Sequence, residues 1–259
     1  MKRLPLLPLL LAAVALAGCG GDHEQAQQRP AGPPLPSLGK RCGTTHVRSR
    51  TLWFYAADGT KLDGAELGTG PRGVILLHEV PADLCGWAPY AETLARRHYH
   101  VLLVDLRSYG LSGRGAFGAG PGAIADVRGS VRELRRLGAT RIALVGASYG
   151  GVAAVVGGSA LGSRIAGIAS LSGELSMGYN FDALAAVRHL RVPLLVMGSR
   201  QDRYLNAHDA RKLVNASGSA KTSLVEFPGF FHGWDLLYDS PQRRHANDVL
   251  AGFLARVTE

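Results

Sequence analysis

The sequence predicts an α/β domain with a mainly parallel central sheet and helices on both faces. Short apolar runs rich in branched residues alternate with longer amphipathic stretches from about residue 52 onward. That alternation lays parallel strands side by side beneath covering helices. Two of the runs, 73–78 and 142–147, are almost wholly apolar, as strands buried on both faces must be. The second run ends abruptly in a glycine-flanked serine, Gly146-Ala147-Ser148-Tyr149-Gly150-Gly151, and the apolar stretch 151–160 then reads as a helix.

Each element has its own signal. Residues 52–57 and 61–67 read as two strands joined by an Asp58-Gly59 turn. The run 73–78 is a third strand, central because it is apolar throughout. Residues 87–97 suit a helix, 101–105 the next strand, and 124–137 an amphipathic helix that Gly138 stops. Beyond the serine come strands at 165–171, 192–197 and 223–227, with helices at 207–215 and 241–257. Only about twenty residues separate 171 from 192, which leaves room for little inserted structure there. No internal repeat is evident.

The first residues read as an address. Lys2 and Arg3 precede an apolar stretch, 4–17, that is too short to span a bilayer comfortably, so residues 1–18 are expected to be a signal peptide. The stretch closes in Leu16-Ala17-Gly18-Cys19, which resembles the lipobox of bacterial lipoproteins. That resemblance implies that Cys19 carries acyl chains and anchors the protein to a membrane; two or more chains hold stably. Cleavage near Ala17 followed by plain secretion is the alternative, and either route takes the chain out of the cytoplasm. Residues 19–43, with their Gln and Pro clusters, read as the lipidation site and a flexible tether, and 44–259 as the folded domain.

Two further cysteines, Cys42 and Cys85, suit an exported chain. A disulfide between them closes a loop of about 43 residues and contributes on the order of 4 kcal/mol in the chain-entropy view. The other reading is two unpaired thiols. The net charge of +9 falls to +7 without residues 1–18, and no dense basic run concentrates it, so nucleic-acid binding is not expected. The excess reads as solubility, with weak attraction to anionic membranes as the alternative.

Ser148 is the only serine with glycines two residues to either side. A turn that tight leaves no room for a Cβ on either flank, and it aims the first amides of the following helix at the serine. A serine hydroxyl is a weak nucleophile at neutral pH and needs a base, with a carboxylate to hold that base in the right tautomer. Asp202 follows the 192–197 strand, although it also suits a solvated turn or a helix cap; Asp209 competes for the acid's role but falls inside a predicted helix. His232 follows the last strand in a loop rich in glycine and aromatics, whereas His208 and His245 fall on helices. His98 and His100 have no accompanying ligand cluster, so no metal site is expected, and the chemistry needs no cofactor.

Five motifs in order across the domain make the chain resemble the α/β-hydrolases, with its nearest likeness among compact esterases and dienelactone-hydrolase-like members. They are Ile75-Leu76-Leu77-His78, Val104-Asp105-Leu106-Arg107-Ser108-Tyr109-Gly110-Leu111-Ser112, the serine turn, Gly198-Ser199-Arg200-Gln201-Asp202 and Gly229-Phe230-Phe231-His232-Gly233. The resemblance implies an α/β-hydrolase fold with little or no cap and the chain order serine, acid, histidine, met by Ser148, Asp202 and His232. It implies an oxyanion hole from the Tyr149 amide and a second amide after His78. Val80 is the expected donor, but His78-Glu79 stands where His-Gly is common, which leaves Glu79 open as the other. The Glu79 side chain is expected to face solvent; the alternative is an acid beside the site that repels anionic substrates. Tyr149, Tyr179, Phe181 and Trp234 either line an open cleft or belong to core and surface.

The implied activity is hydrolysis of a small-molecule or lipid ester through an acyl-enzyme. A peptidase, thioesterase, lactonase or acyltransferase would use the same triad. A surface protein that binds on this fold without catalysing is the alternative of another kind.

Overall fold

In the computed structural model, which describes residues 33–43, 46–115, 120–178 and 180–259, the strands are β1 (Ser49–Tyr55), β2 (Lys61–Leu67), β3 (Arg72–Leu77), β4 (His100–Val104), β5 (Arg141–Ala147), β6 (Gly167–Leu171), β7 (Leu194–Ser199) and β8 (Thr222–Phe227). They form one sheet in the order β1-β2-β4-β3-β5-β6-β7-β8. Antiparallel pairing joins β1 to β2 and β2 to β4; every other pair is parallel. The carboxyl ends of β3 to β8 therefore share one edge, and the loops that follow them meet there.

The pleat divides the interior in two. Ile75, Leu77, Ile142 and Leu144 face one side, and Val74, Leu76, Ala143 and Val145 face the other. The first side is covered by α3 (Gly120–Arg136), α4 (Tyr149–Leu161), α5 (Ala183–Val187) and α6 (Ala207–Asn215). The second is covered by α1 (Leu38–Cys42), α2 (Ala88–Arg96), α7 (Asp235–Tyr238) and α8 (Arg243–Thr258). The expected parallel sheet with helices on both faces is thus what forms. Between β6 and β7 the described residues hold only α5 and an isolated bridge from Ser176 to Asp182, so little stands over the sheet edge. No helix among the described residues is long and apolar enough to cross a membrane.

The folded unit begins earlier than the expected boundary at residue 44. It runs from Pro33 to Glu259, so residues 33–43 belong to it and not to a tether. Ser37 caps α1 by accepting from the Lys40 amide, and Leu38 is buried. Arg41 pairs with two fully buried carboxylates, Asp63 and Asp105, and reaches Asp83 at 3.5 Å. A cation is required there, because two buried carboxylates facing each other without one are costly. Even beside Arg41, burial and the neighbouring Asp105 carboxylate push Asp63 up to about 7. Cys42 and Cys85 are joined by a disulfide, which fastens α1 to the loop after β3. The expected signal peptide, Cys19, the rest of the expected tether and Tyr179 lie outside the described residues.

Candidate active site

Ser148 stands between β5 and α4 with φ 48° and ψ −117°, a conformation rare for any residue with a side chain. The glycines on its flanks are sterically required. A Cβ on Gly146 would lie 2.0 Å from the Gly150 carbonyl oxygen, and one on Gly150 would lie 2.1 Å from that of Leu77. The Ser148 amide donates to the Leu171 carbonyl at 2.8 Å, tying the turn to the end of β6. Tyr149 opens α4 with its amide in the first turn, as the oxyanion expectation needs. Its ring is core, 5.0 Å from Phe181 and 5.9 Å from Tyr109, and Phe181 is fully buried. Neither of these two rings lines a cleft.

Asp202 and His232 meet. The His232 Nδ1–H donates to both Asp202 oxygens, at 2.9 and 3.0 Å. Asp202 Oδ1 also accepts from the Tyr204 amide at 2.9 Å, and the Tyr204 ring lies 4.8 Å from the imidazole. Burial works to raise the Asp202 carboxyl, but the His232 bond, the Ser172 hydroxyl beside it and the Tyr204 amide hold it below the usual carboxylate range. Burial likewise works to lower His232, yet the Asp202 bond and charge, with Glu79 and Glu174 behind them, raise it above the ordinary histidine value. Among the described residues the His232 ring forms no hydrogen bond apart from those to Asp202, which leaves its Nε2 open. The loop sits beside the serine turn: a Cβ on Gly233 would lie 3.5 Å from the Ala147 Cβ.

The competing residues stand elsewhere. Asp209 and His208 pair with each other at the start of α6, where Asn206 caps the helix. His245, on α8, packs edge-on against Phe227 at 5.6 Å.

The loop after β3 is set by His78, which is fully buried. Its Nε2 accepts from the Leu106 amide at 3.1 Å, so its Nδ1–H donates to the Glu79 carbonyl at 2.8 Å. Burial pushes this imidazole below its ordinary value, and it stays neutral. Val80, the expected second oxyanion donor, is partly buried against the core at the same loop.

The Glu79 side chain departs from the expectation that it faces water. Its Oε2 accepts from the Trp234 amide at 3.3 Å, and a Cβ on Gly233 would lie only 1.8 Å from that oxygen. The absence of a side chain at Gly233 is what makes room for it. Burial pushes the Glu79 carboxyl up to about 7, with Asp235 and Asp202 adding to the rise and His232 opposing it. Glu174, after β6, is raised by burial and faces the same histidine. The His-Glu pair marks Glu79 as unusual; nothing in the sequence marks Glu174. Trp234 packs edge-on against Trp87 at 5.8 Å and over Gly86, so its ring locks the two loops together.

A family model described as alpha/beta hydrolase fold matches residues 74–191, a span that includes Ser148 and stops before Asp202 and His232. Solved structures extend the likeness. An esterase from Pyrococcus furiosus superposes with TM-score 0.72 at 19% identity, over 87% of this chain and 98% of that one. A monoacylglycerol lipase from Paleococcus ferrophilus gives 0.65 at 15%, over 75% and 98%. An enol-lactonase from Burkholderia xenovorans gives 0.63 at 18%, over 78% and 99%. The chain has the α/β-hydrolase fold.

Proposed function

We propose that the protein is a serine hydrolase that cleaves carboxylic esters through an acyl-enzyme. The observation that carries this is the grip of both Asp202 oxygens on the Nδ1 side of His232, which leaves Nε2 free as a base, on a loop packed beside the strained turn that holds Ser148. Nε2 takes the Ser148 hydroxyl proton as the oxygen attacks the ester carbonyl. The Tyr149 and Val80 amides receive the developing negative oxygen. The imidazolium then returns its proton to the departing alcohol, and water, activated by the same nitrogen, releases the acid. Asp202 keeps the ring in one tautomer and balances its charge. The esterases and the lipase among the similar solved structures support this reading without deciding the substrate.

A fluorophosphonate probe should label the wild type and leave Ser148→Ala unlabelled, and p-nitrophenyl esters should be turned over only by the former. An unlabelled wild type, or equal labelling of Ser148→Ala, removes the enzymatic reading. Activity across increasing acyl lengths, set against aminoacyl amides and thioesters, distinguishes an esterase from the other acyl enzymes.

The N-terminal sequence supports a second part of the proposal, that the enzyme works outside the cytoplasm. Residues 1–18 are removed, Cys19 is acylated, and a short tether leads to the domain, so small or lipid esters at a membrane surface are its substrates. Metabolic labelling with an alkynyl fatty acid should tag the protein and fail on Cys19→Ser.

A further inference from the structure

Two loops that approach Ser148 from different strands interlock. The loop after β3 carries Glu79, Val80 and Gly86; the loop after β8 carries His232, Gly233 and Trp234. The Trp234 ring lies over Gly86, where a Cβ would come within 2.1 Å of it, and the Tyr238 hydroxyl donates to the Gly86 carbonyl at 3.0 Å. These contacts join the loops away from the histidine. Next to the histidine, among the described residues, the side chain that bonds across the two loops is Glu79, whose carboxylate accepts from the Trp234 amide and fills the space beside Gly233.

We propose that Glu79 is a positioning residue for His232: it clamps the histidine loop onto the loop after β3 and sets a second carboxylate near the imidazole that becomes charged when it takes the Ser148 proton. The inference rests on the serine-hydrolase reading above. Asp202 already occupies Nδ1, so Glu79 acts through the Trp234 amide and through space. The groups facing its carboxylate are His232, Asp202 beyond it, and Asp235 of α7, with Tyr238 of the same helix close enough to feel its charge. Glu174 faces the imidazole from the loop after β6. Of these neighbours only His232 becomes a cation, so an ionised Glu79 favours protonated His232, and protonated His232 favours ionised Glu79. Burial pushes the Glu79 carboxyl up to about 7, so its charge changes near neutral pH.

Glu79→Gln keeps the shape and an acceptor oxygen for the Trp234 amide while removing the charge. It should lower kcat about tenfold with KM nearly unchanged, since the lost interaction strengthens only as the imidazolium forms. The acid limb of kcat/KM should move to lower pH, because the imidazole has lost a carboxylate that raised it. Glu79→Asp, which restores the charge on a shorter arm, should bring part of that limb back. A merely structural residue would leave the limb in place. Wild-type rates and an unchanged pH profile in Glu79→Gln overturn the proposal, as does a Glu79→Gln protein that fails to fold, which would make the residue scaffold. Fluorophosphonate labelling separates the two failures. If the wild type labels and the Glu79→Gln profile is unmoved, this inference alone falls; if the wild type does not label, the reading beneath it falls first.

Discussion

His78 follows β3 and His232 follows β8, both at the carboxyl edge of the same sheet, and their imidazoles shift in opposite directions. His78 is buried between an amide that donates to it and a carbonyl that accepts from it. Those partners are neutral and hold both nitrogens, so desolvation dominates and the ring stays uncharged. His232 meets a carboxylate at one nitrogen and keeps the other open, with two more carboxylates nearby, so the charged form is favoured despite burial. Position at a strand end does not make a histidine reactive. An open nitrogen opposite a buried acid does.

The largest expected effect breaks the His232 side of this pair. Asp202→Asn should lower kcat/KM by roughly 10³–10⁴-fold, because the amide no longer enforces the tautomer that leaves Nε2 as the base. The fold should survive, since the Tyr204 amide still finds an acceptor oxygen at that position. Steady-state ester kinetics beside a thermal melt check this; a fall of less than tenfold would mean that Asp202 only packs the loop.

Next in size is the His78 side. His78→Ala empties a fully buried site and leaves the Leu106 amide without an acceptor. The orphaned donor and the cavity together should cost about 3 kcal/mol of stability, read by urea unfolding. Protein still folded in the cold should label with the fluorophosphonate, though more slowly. Complete loss of labelling in folded protein would give His78 a share in the chemistry and blur the contrast.

Much of this architecture is readable because backbone geometry constrains it. Gly146 and Gly150 are glycines because carbonyl oxygens occupy the space a Cβ would take, and that requirement marks the turn at Ser148 in the sequence. Asp202 and His232 stand out through their places after strands, and the structure joins them. Arg41 is not readable. It lies in what looks like an extension of the tether, and its value depends on Asp63 and Asp105, 22 and 64 residues away, converging on it. Glu79 misleads for a related reason. A carboxylate in a loop defaults to water, and only the bare Gly233 across the site, more than 150 residues further on, explains its inward turn.

The smallest effect sharpens the contrast through pH. A histidine raised in the fold stabilises the protein below its unfolded value near 6.5, and that contribution is lost as pH rises through the folded value; His232 is this case. A histidine lowered in the fold does the reverse. The unfolded chain takes up the proton first, so stability falls as pH drops through about 6.5, and His78 is that case. Replacing His78 with Phe should therefore flatten the loss of stability between pH 7.5 and pH 5.5, whereas His232→Gln should steepen it. A tenfold difference in proton affinity between the folded and unfolded chain is worth about 1.4 kcal/mol, which sets the scale of both slopes. Paired chemical denaturation at the two pH values measures them. If the two substitutions changed the pH dependence in the same direction, the surroundings of His78 and His232 would not be the different environments their partners describe.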